Sequence, residues 1–287
     1  KMTASDSGNT ITSGGSDFYD LNFAGAGTWD LQDAATTAND LLISSGKASS
    51  SFDFTALNSV TGAGTLNFTG GTFLIDGSGS FGGESAWTFN NLTFGNGQGT
   101  TTITCTSTNS ITVNGNFSIA ESQTLTGSKS FTVNGGNVTG NGVLNFTGDT
   151  FLVDGTGNFG GDSAWAFNNL TFGDGSGSET TSKTGTGNIE VASVLTIDSS
   201  HTLQASSQIW NLSGSGTPLV VNGTLTAQSS IFKYTGTSAT NITPTTYYRL
   251  EFAPGSGSPT YTVQAGTLTC NDYLYVGDGT NQVTVTA

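Results

Sequence analysis

The chain carries one passage twice. Residues 61–97 read TGAGTLNFTGGTFLIDGSGSFGGESAWTFNNLTFGNG, and residues 139–175 read TGNGVLNFTGDTFLVDGTGNFGGDSAWAFNNLTFGDG. A 78-residue offset relates the two, and most exchanges are mild, such as Ile75 for Val153 or Glu84 for Asp162. A catalytic site is normally a singular constellation, whereas near-verbatim duplication marks a unit that stacks on copies of itself. The first expectation is therefore architectural.

The offset belongs to a wider pattern. Segments 18–23 (FYDLNF), 89–94 (FNNLTF), 167–172 (FNNLTF) and 247–252 (YYRLEF) share aromatic first and last positions and a leucine at the fourth. No Pro-rich or charged linker separates these anchors, which predicts one continuous body over 1–287. A finer period lies inside the coarse one. Asn-Gly or Asp-Gly dipeptides begin at Asp76, Asn96, Asn114, Asn134, Asp154 and Asp174, dividing the offset into four turns of about 20 residues. Asn141-Gly142 falls out of phase, and beyond Asp174 the rhythm loosens.

Between the dipeptides lie short alternating apolar runs, among them Ile111–Val113, Phe117–Ile119 and Phe131–Val133. Bounded by Gly and Asn, they read as strands of three to six residues. Only Asp33–Leu42 suggests a helix. Two all-β folds suit this pattern. In a parallel β-solenoid (β-helix) each unit of about 20 residues is one coil, residue i pairs with roughly i + 20, and Asn and Gly serve the corners because both tolerate positive φ. In the alternative, each Asn-Gly is a type I′ hairpin turn, and the chain is a row of antiparallel tandem β-sandwich repeats of about 78 residues. Near-uniform coil length and strands too short for a sandwich favour the solenoid, with roughly 14 coils.

Composition narrows the function. Lys+Arg number 6 against 20 Asp+Glu, giving a net charge of −14. Phosphate binding needs a basic face, so nucleic acid is an unsuitable partner, and so is an anionic membrane. No apolar run approaches the ~20 residues of a membrane span. The opening KMTASDSGNT has no signal-peptide core, as expected of a mature chain after cleavage or of an excised piece. Cys105 and Cys270 make no disulfide framework, and the single His201 completes no zinc site with them at usual spacings. They are expected to be free, partly buried thiols.

With these motifs in hand, the chain resembles bacterial secreted β-solenoid surface proteins, the filamentous-haemagglutinin-like adhesins and autotransporter passengers. The resemblance rests on Gly142, Leu144, Phe146 and Gly148, then Phe167, Asn169, Leu170 and Phe172, and on Val113–Ile119, where Phe117 replaces the usual leucine. It is a likeness of repeat style over most of the chain. It implies an extracellular structural or adhesive role and transfers no catalytic residue.

β-Helices also include polysaccharide-active enzymes, whose chemistry sets a geometric condition. Glycoside hydrolysis wants two carboxylates about 5–10 Å apart. The repeat-equivalent pairs Asp76/Asp154 and Glu84/Asp162 would lie four coils apart, about 19 Å. Asp154 and Asp174 could be close, but both precede Gly at turns, where Asp is expected for local reasons. Arg249 is the only arginine to assist them. Asp154, Asp174 and the segment ending at Glu179 could hold calcium, although a solvated acidic edge explains them more simply and the nonapeptide calcium signature is missing. Threonine rows such as Thr100–Thr104 do not recur at every coil, as an ice-binding face would require. Nine Asn-x-Ser/Thr sequons, from Asn67 to Asn241, are near chance frequency for this composition. Trp29, Trp87, Trp165 and Trp210 could stack on sugars, yet Trp87 and Trp165 share one repeat position, which suggests packing.

The expectation is thus a non-enzymatic extracellular protein with no catalytic, cofactor or metal residues. It would be a subunit of a surface fibre formed by head-to-tail stacking of solenoid ends, so that its partner is a second copy of itself. A repeat region of a larger glycan- or partner-binding adhesin or tailspike is the alternative, ahead of a β-helix polysaccharide-active enzyme.

Overall fold

A computed structural model describes residues 1–287. It contains thirty-six short strands and no helix, and the pairings between successive coils are parallel. The chain is an all-β parallel solenoid of about 14 turns. Most coils of the first unit lay down three strands in succession, each pairing with the one three places on, whereas at the two ends of the chain and where strands merge the partner is two places on. Thr72–Ile75, for example, lies between Phe54–Ala56 and Asn91–Phe94, with Phe73 opposite Phe54 on one side and Leu92 on the other. Tandem sandwiches would need antiparallel hairpins, and this register excludes them. Two compact units, Lys1–Asn145 and Phe146–Ala287, are each built this way.

Coil length is not uniform. The shortest steps set Leu66 opposite Ala48 and Leu250 opposite Phe232, and the longest set Phe117 opposite Leu92 and Leu195 opposite Leu170. Loops account for the difference. Segments 95–100, 173–179 and 253–259 each follow the last aromatic of an anchor with an aromatic first residue and a leucine at the fourth, and they are largely exposed.

Alternation fills the interior. Inward residues stack on their equivalents one coil away: Phe73 lies on Phe54 with ring centroids 5.2 Å apart, and Trp210 on Phe232 at 5.9 Å. All four are 1% exposed or less. Each such side chain contributes roughly 1.5–3 kcal/mol of burial free energy. Outward positions carry hydroxyls in rows, as in the column Thr88, Thr112, Thr132. Trp87 and Trp165 are fully buried, as their shared repeat position suggested, and so is Trp210. The Trp87 indole N–H donates to the Gly64 carbonyl at 2.9 Å, and that of Trp210 to the Ala205 carbonyl at 3.1 Å. None of these three indoles is available to a sugar.

Three expectations need correction. Asp33–Leu42 is not helical: Ala35–Thr37 and the start of Leu41–Ile43 lie within it, because the pairing of Ala35 with Phe54 and Leu41 with Val60 outweighs local helix propensity. The corner asparagines do not adopt positive φ either. The non-glycine residues that do are Ser122, Ser200, Ser206 and Gln228. Corner side chains instead bond up the stack: the Asn134 amide donates to Asn114 Oδ1 at 3.1 Å, and the Asn96 backbone N–H to Asp76 Oδ1 at 2.9 Å.

The third correction concerns phase. From Asn67 the pairing ladder steps to Thr88, then Thr112, then Thr132. Three coils therefore end at Thr132, short of Asn145, the repeat equivalent of Asn67, and the remaining stretch makes only part of a coil. Eleven strand starts, not twelve, separate Thr65–Phe68 from Val143–Val153. The 78-residue repeat is three and two-thirds turns of about 21 residues rather than four shorter ones. The loop 95–100 lengthens its coil, so that the next dipeptide, Asn114-Gly115, comes two strands after Asn96-Gly97 and one corner short of a full turn. Equivalent residues of the two copies thus fall on different strand positions of the coil. Asn91–Phe94 belongs to the 10-stranded sheet, whereas its counterpart at the end of Trp165–Phe172 belongs to the 23-stranded one.

Candidate functional site

One cluster of potential ligands stands out, and it lies within the second unit. Asp154 follows the inward residues Phe151 and Val153 at a corner. One coil later Asp174 occupies the same corner, and its backbone N–H donates to Asp154 Oδ1 at 2.8 Å. The expected adjacency of these aspartates is present. Their carboxylates, however, serve different ends. Asp174 Oδ1 accepts from the Ser176 N–H at 2.8 Å and from its hydroxyl at 2.6 Å, closing the GDGSGSE loop on itself. These bonds hold the Asp174 carboxyl below its ordinary pKa.

The loop returns Glu179 toward Asp154, and one coil further on His201 enters the same place. One ligand atom from each of Asp154, Glu179 and His201 lies within 4.8 Å of the others. Of the three acidic residues grouped at this edge in the sequence, Asp174 is engaged in its own loop, and His201 stands beside Asp154 and Glu179. His201 stands in no recognisable motif of the sequence. Its position beside Glu179 follows from a register in which Thr202 pairs with Thr180, which no motif announces.

The chemistry of His201 is fixed by its neighbour. The side chain is 1% exposed. Nε2 lies 2.9 Å from Thr181 Oγ1, and the Thr181 hydroxyl donates to the Gly155 carbonyl at 3.0 Å. A hydroxyl has one proton, so Nε2 must be the donor to Thr181. Nδ1 is then left with a lone pair, and it is buried with no hydrogen-bond partner. Glu179 Oε2 is likewise buried and unpartnered. Burial lowers the imidazole pKa, with the Glu179 charge opposing, and it raises that of Asp154, which also feels the charges of Asp174 and Glu179.

The first copy of the repeat supplies a comparison. The same offset places Asp76, Thr101 and Gln123 at the positions of Asp154, Glu179 and His201, and Ile103 at that of Thr181. There the Thr101 hydroxyl bonds directly to Gln123 Oε1, and the Gln123 amide donates to the Thr101 carbonyl at 3.1 Å. Neutral side chains close the contact.

The other candidates resolve simply. Cys105 and Cys270 are free thiols, one buried and one partly exposed; burial pushes the Cys105 thiol up to about 11. Arg249 is paired with Asp272 at 2.6 Å and lies over the Tyr273 ring, so it assists no pair of carboxylates at Asp154.

The coil containing Thr269–Val276 has a different character. That strand pairs with Thr246–Phe252, matching Leu274 to Leu250 and Val276 to Phe252. Leu250 and Phe252 are inward and buried, so Leu274 and Val276 point inward as well, yet they are 48% and 49% exposed. No strand is paired to the other edge of Thr269–Val276, nor of Thr284–Thr286.

Fold and site together define a β-helix repeat protein, with stacked parallel coils and one polar cluster at a corner. No protein-family model, curated protein or solved structure matches the chain. No helix is long and apolar enough to cross a membrane.

Proposed function

We propose that this chain is a non-enzymatic structural protein of the extracellular or cell-surface kind, and that it assembles by adding coil to coil. The observation that carries the reading is the uncovered coil at Thr269–Val276, with inward-facing Leu274 and Val276 half exposed beside a free strand edge. An unpaired edge above an apolar interior is a template for another strand. The first coil offers a match: Met2 and Ile11 stand opposite Phe23 and Leu31 on one side, and the outer edges of Met2–Thr3 and Asn9–Ile11 are free. Pairing of one subunit's last coil with the next one's first is heterologous and does not close, so it generates a filament.

The low charge and Ser/Thr-rich surface agree with a secreted fibre, and the resemblance to adhesin-type solenoids agrees with a surface location. Electron microscopy and light scattering across a concentration series test the proposal. Filaments that lengthen with protein concentration are expected. A monodisperse monomer at every concentration refutes self-assembly.

A further inference from the structure

We propose that Asp154, Glu179 and His201 form a binding site for a single divalent transition-metal ion of the Zn²⁺ type, built into the second copy of the repeat and missing from the first. This inference is independent of the proposed assembly. Three observations carry it.

The first is the donor set. Two carboxylate oxygens and one imidazole nitrogen converge within 4.8 Å from three successive coils. A metal with bonds of about 2.0–2.2 Å would draw such donors to roughly 3–4 Å from one another, a small adjustment for a Glu on a loop. Imidazole selects Zn²⁺ and its neighbours, whereas Ca²⁺ takes six to eight oxygens. A histidine in place of Asp174 therefore changes the expected ion class from calcium to zinc.

The second is the state of the donors. His201 is 1% exposed and its Nδ1 has no partner, as is true of the buried Glu179 Oε2. Buried polar atoms are nearly always hydrogen-bonded, and two orphaned atoms on neighbouring members of one cluster call for a ligand. Glu179 and His201 do not satisfy each other, because no ion pair joins them. The second nitrogen of the ring is already oriented. Nε2–H donates to Thr181 Oγ1, whose own O–H donates to the Gly155 carbonyl. Metal-bound histidines characteristically donate their other N–H in this way, which fixes the tautomer and turns the lone pair toward the ion.

The third is the first copy of the repeat. At the same 78-residue offset the equivalent positions are Asp76, inside the near-verbatim passage, and Thr101 and Gln123 beyond its end, the last two joined by direct hydrogen bonds. Thr181, the acceptor for the ring, is matched by Ile103, which accepts nothing. The second copy thus differs at the three positions that convert a closed polar contact into a ligand set with its orienting group. Bound there, the ion would tie the loop Gly173–Glu179 to the coils before and after it. Thr181 is a positioning residue; the ligands are Asp154, Glu179 and His201.

The test uses the full chain, stripped with chelator and titrated with Zn²⁺ or Ca²⁺ by calorimetry, with thermal melting in parallel. One Zn²⁺ per chain and a higher melting temperature are expected, and equal Ca²⁺ should produce neither. Glu179→Gln keeps the size of a partly exposed loop side chain and should weaken Zn²⁺ binding at least about tenfold, with Thr181→Val weakening it by about 10–100-fold through loss of orientation. His201→Gln copies the residue of the first repeat, so it should fold while losing the site. Titration of Cys270→Ser guards against a thiol ligand and should match the parent. Absence of Zn²⁺ binding at millimolar concentration, equal binding of Ca²⁺, or undiminished affinity in folded Glu179→Gln would each overturn the site.

Discussion

Lys183 shows how single residues depart from the repeat. Its equivalent in the first copy is Cys105, so an ammonium lies where that copy has a buried thiol. Lys183 is 3% exposed, and its Nζ donates to the carbonyls of Thr184 and Gly185 without a carboxylate in contact. Burial lowers its pKa from 10.5 to about 8, with the charge of Asp162 opposing. Between those values the unfolded chain binds more protons than the folded one, so stability should rise with pH from about 8 toward 10.5. The penalty for the buried charge is complete below pH 8. Lys183→Met should therefore raise stability at pH 7 by roughly 1 kcal/mol, allowing for water screening near the coil surface, and should flatten the rise above pH 8. Urea melts of both proteins from pH 7 to 9.5 check this. A second expectation belongs to the cysteines. The buried Cys105 thiol, pushed up to about 11, should resist a thiol reagent in the native protein, so that labelling gives one modified cysteine per chain and denaturation gives two.

The same scale explains what the sequence did and did not disclose of the candidate site. Asp154 and Asp174 were legible as neighbours, because both begin corner dipeptides one coil apart. Glu179 was legible as part of the same loop. The place of His201 was not, since it depends on a coil longer than the corner rhythm implies, and on the hydroxyl of Thr181 to orient it. A comparison of Gln123 with His201 across the 78-residue offset would have flagged the exchange.

At the level of strands and corners, the parallel register could be read from the Asn/Asp-Gly rhythm, because like corners stack one coil apart on either side of a single change of corner. The phase could not. Loops of the Gly95–Thr100 kind add residues that carry no strand pattern, so the spacing between Asn96 and Asn114 looks like a short coil when it is a change of corner. Glycine marks the close approaches. Gly62 and Gly140 are repeat equivalents with φ of 138° and 137°. A Cβ at either would overlap a carbonyl oxygen of the preceding coil, that of Ile43 or Ile119. Gly140→Ala should therefore cost about 2–4 kcal/mol, from strained backbone and overpacking together. Gly97→Ala has a similar φ sign, 83°, but open space around it, and should cost only about 1 kcal/mol. Chemical denaturation of the two variants separates steric closure between coils from backbone strain alone.

For the molecule as a whole, a solenoid has no single core to complete. Each coil covers the one before it, and stability is close to a sum of coil and interface terms. A coil covered on one side only is the place where this sum is unfinished. Leu274 and Val276 belong to the inward rows that Leu250 and Phe252 continue, yet they are about half exposed. If the next coil comes from another copy, charges at these positions must oppose assembly more than folding. Leu274→Lys with Val276→Lys should shift melting of the isolated chain by roughly 1 kcal/mol or less, because little burial is lost. The same pair should abolish filament growth, since two ammonium groups would have to enter a dry interface without partners. Lys substitutions on exposed edges are the common natural means of blocking strand addition. A control pair at Thr88 and Thr112, on an outward row of the first unit, should leave growth unchanged. Filaments of the Leu274→Lys, Val276→Lys variant that form at the parent's rate would show that growth does not use this coil, even where the parent polymerises.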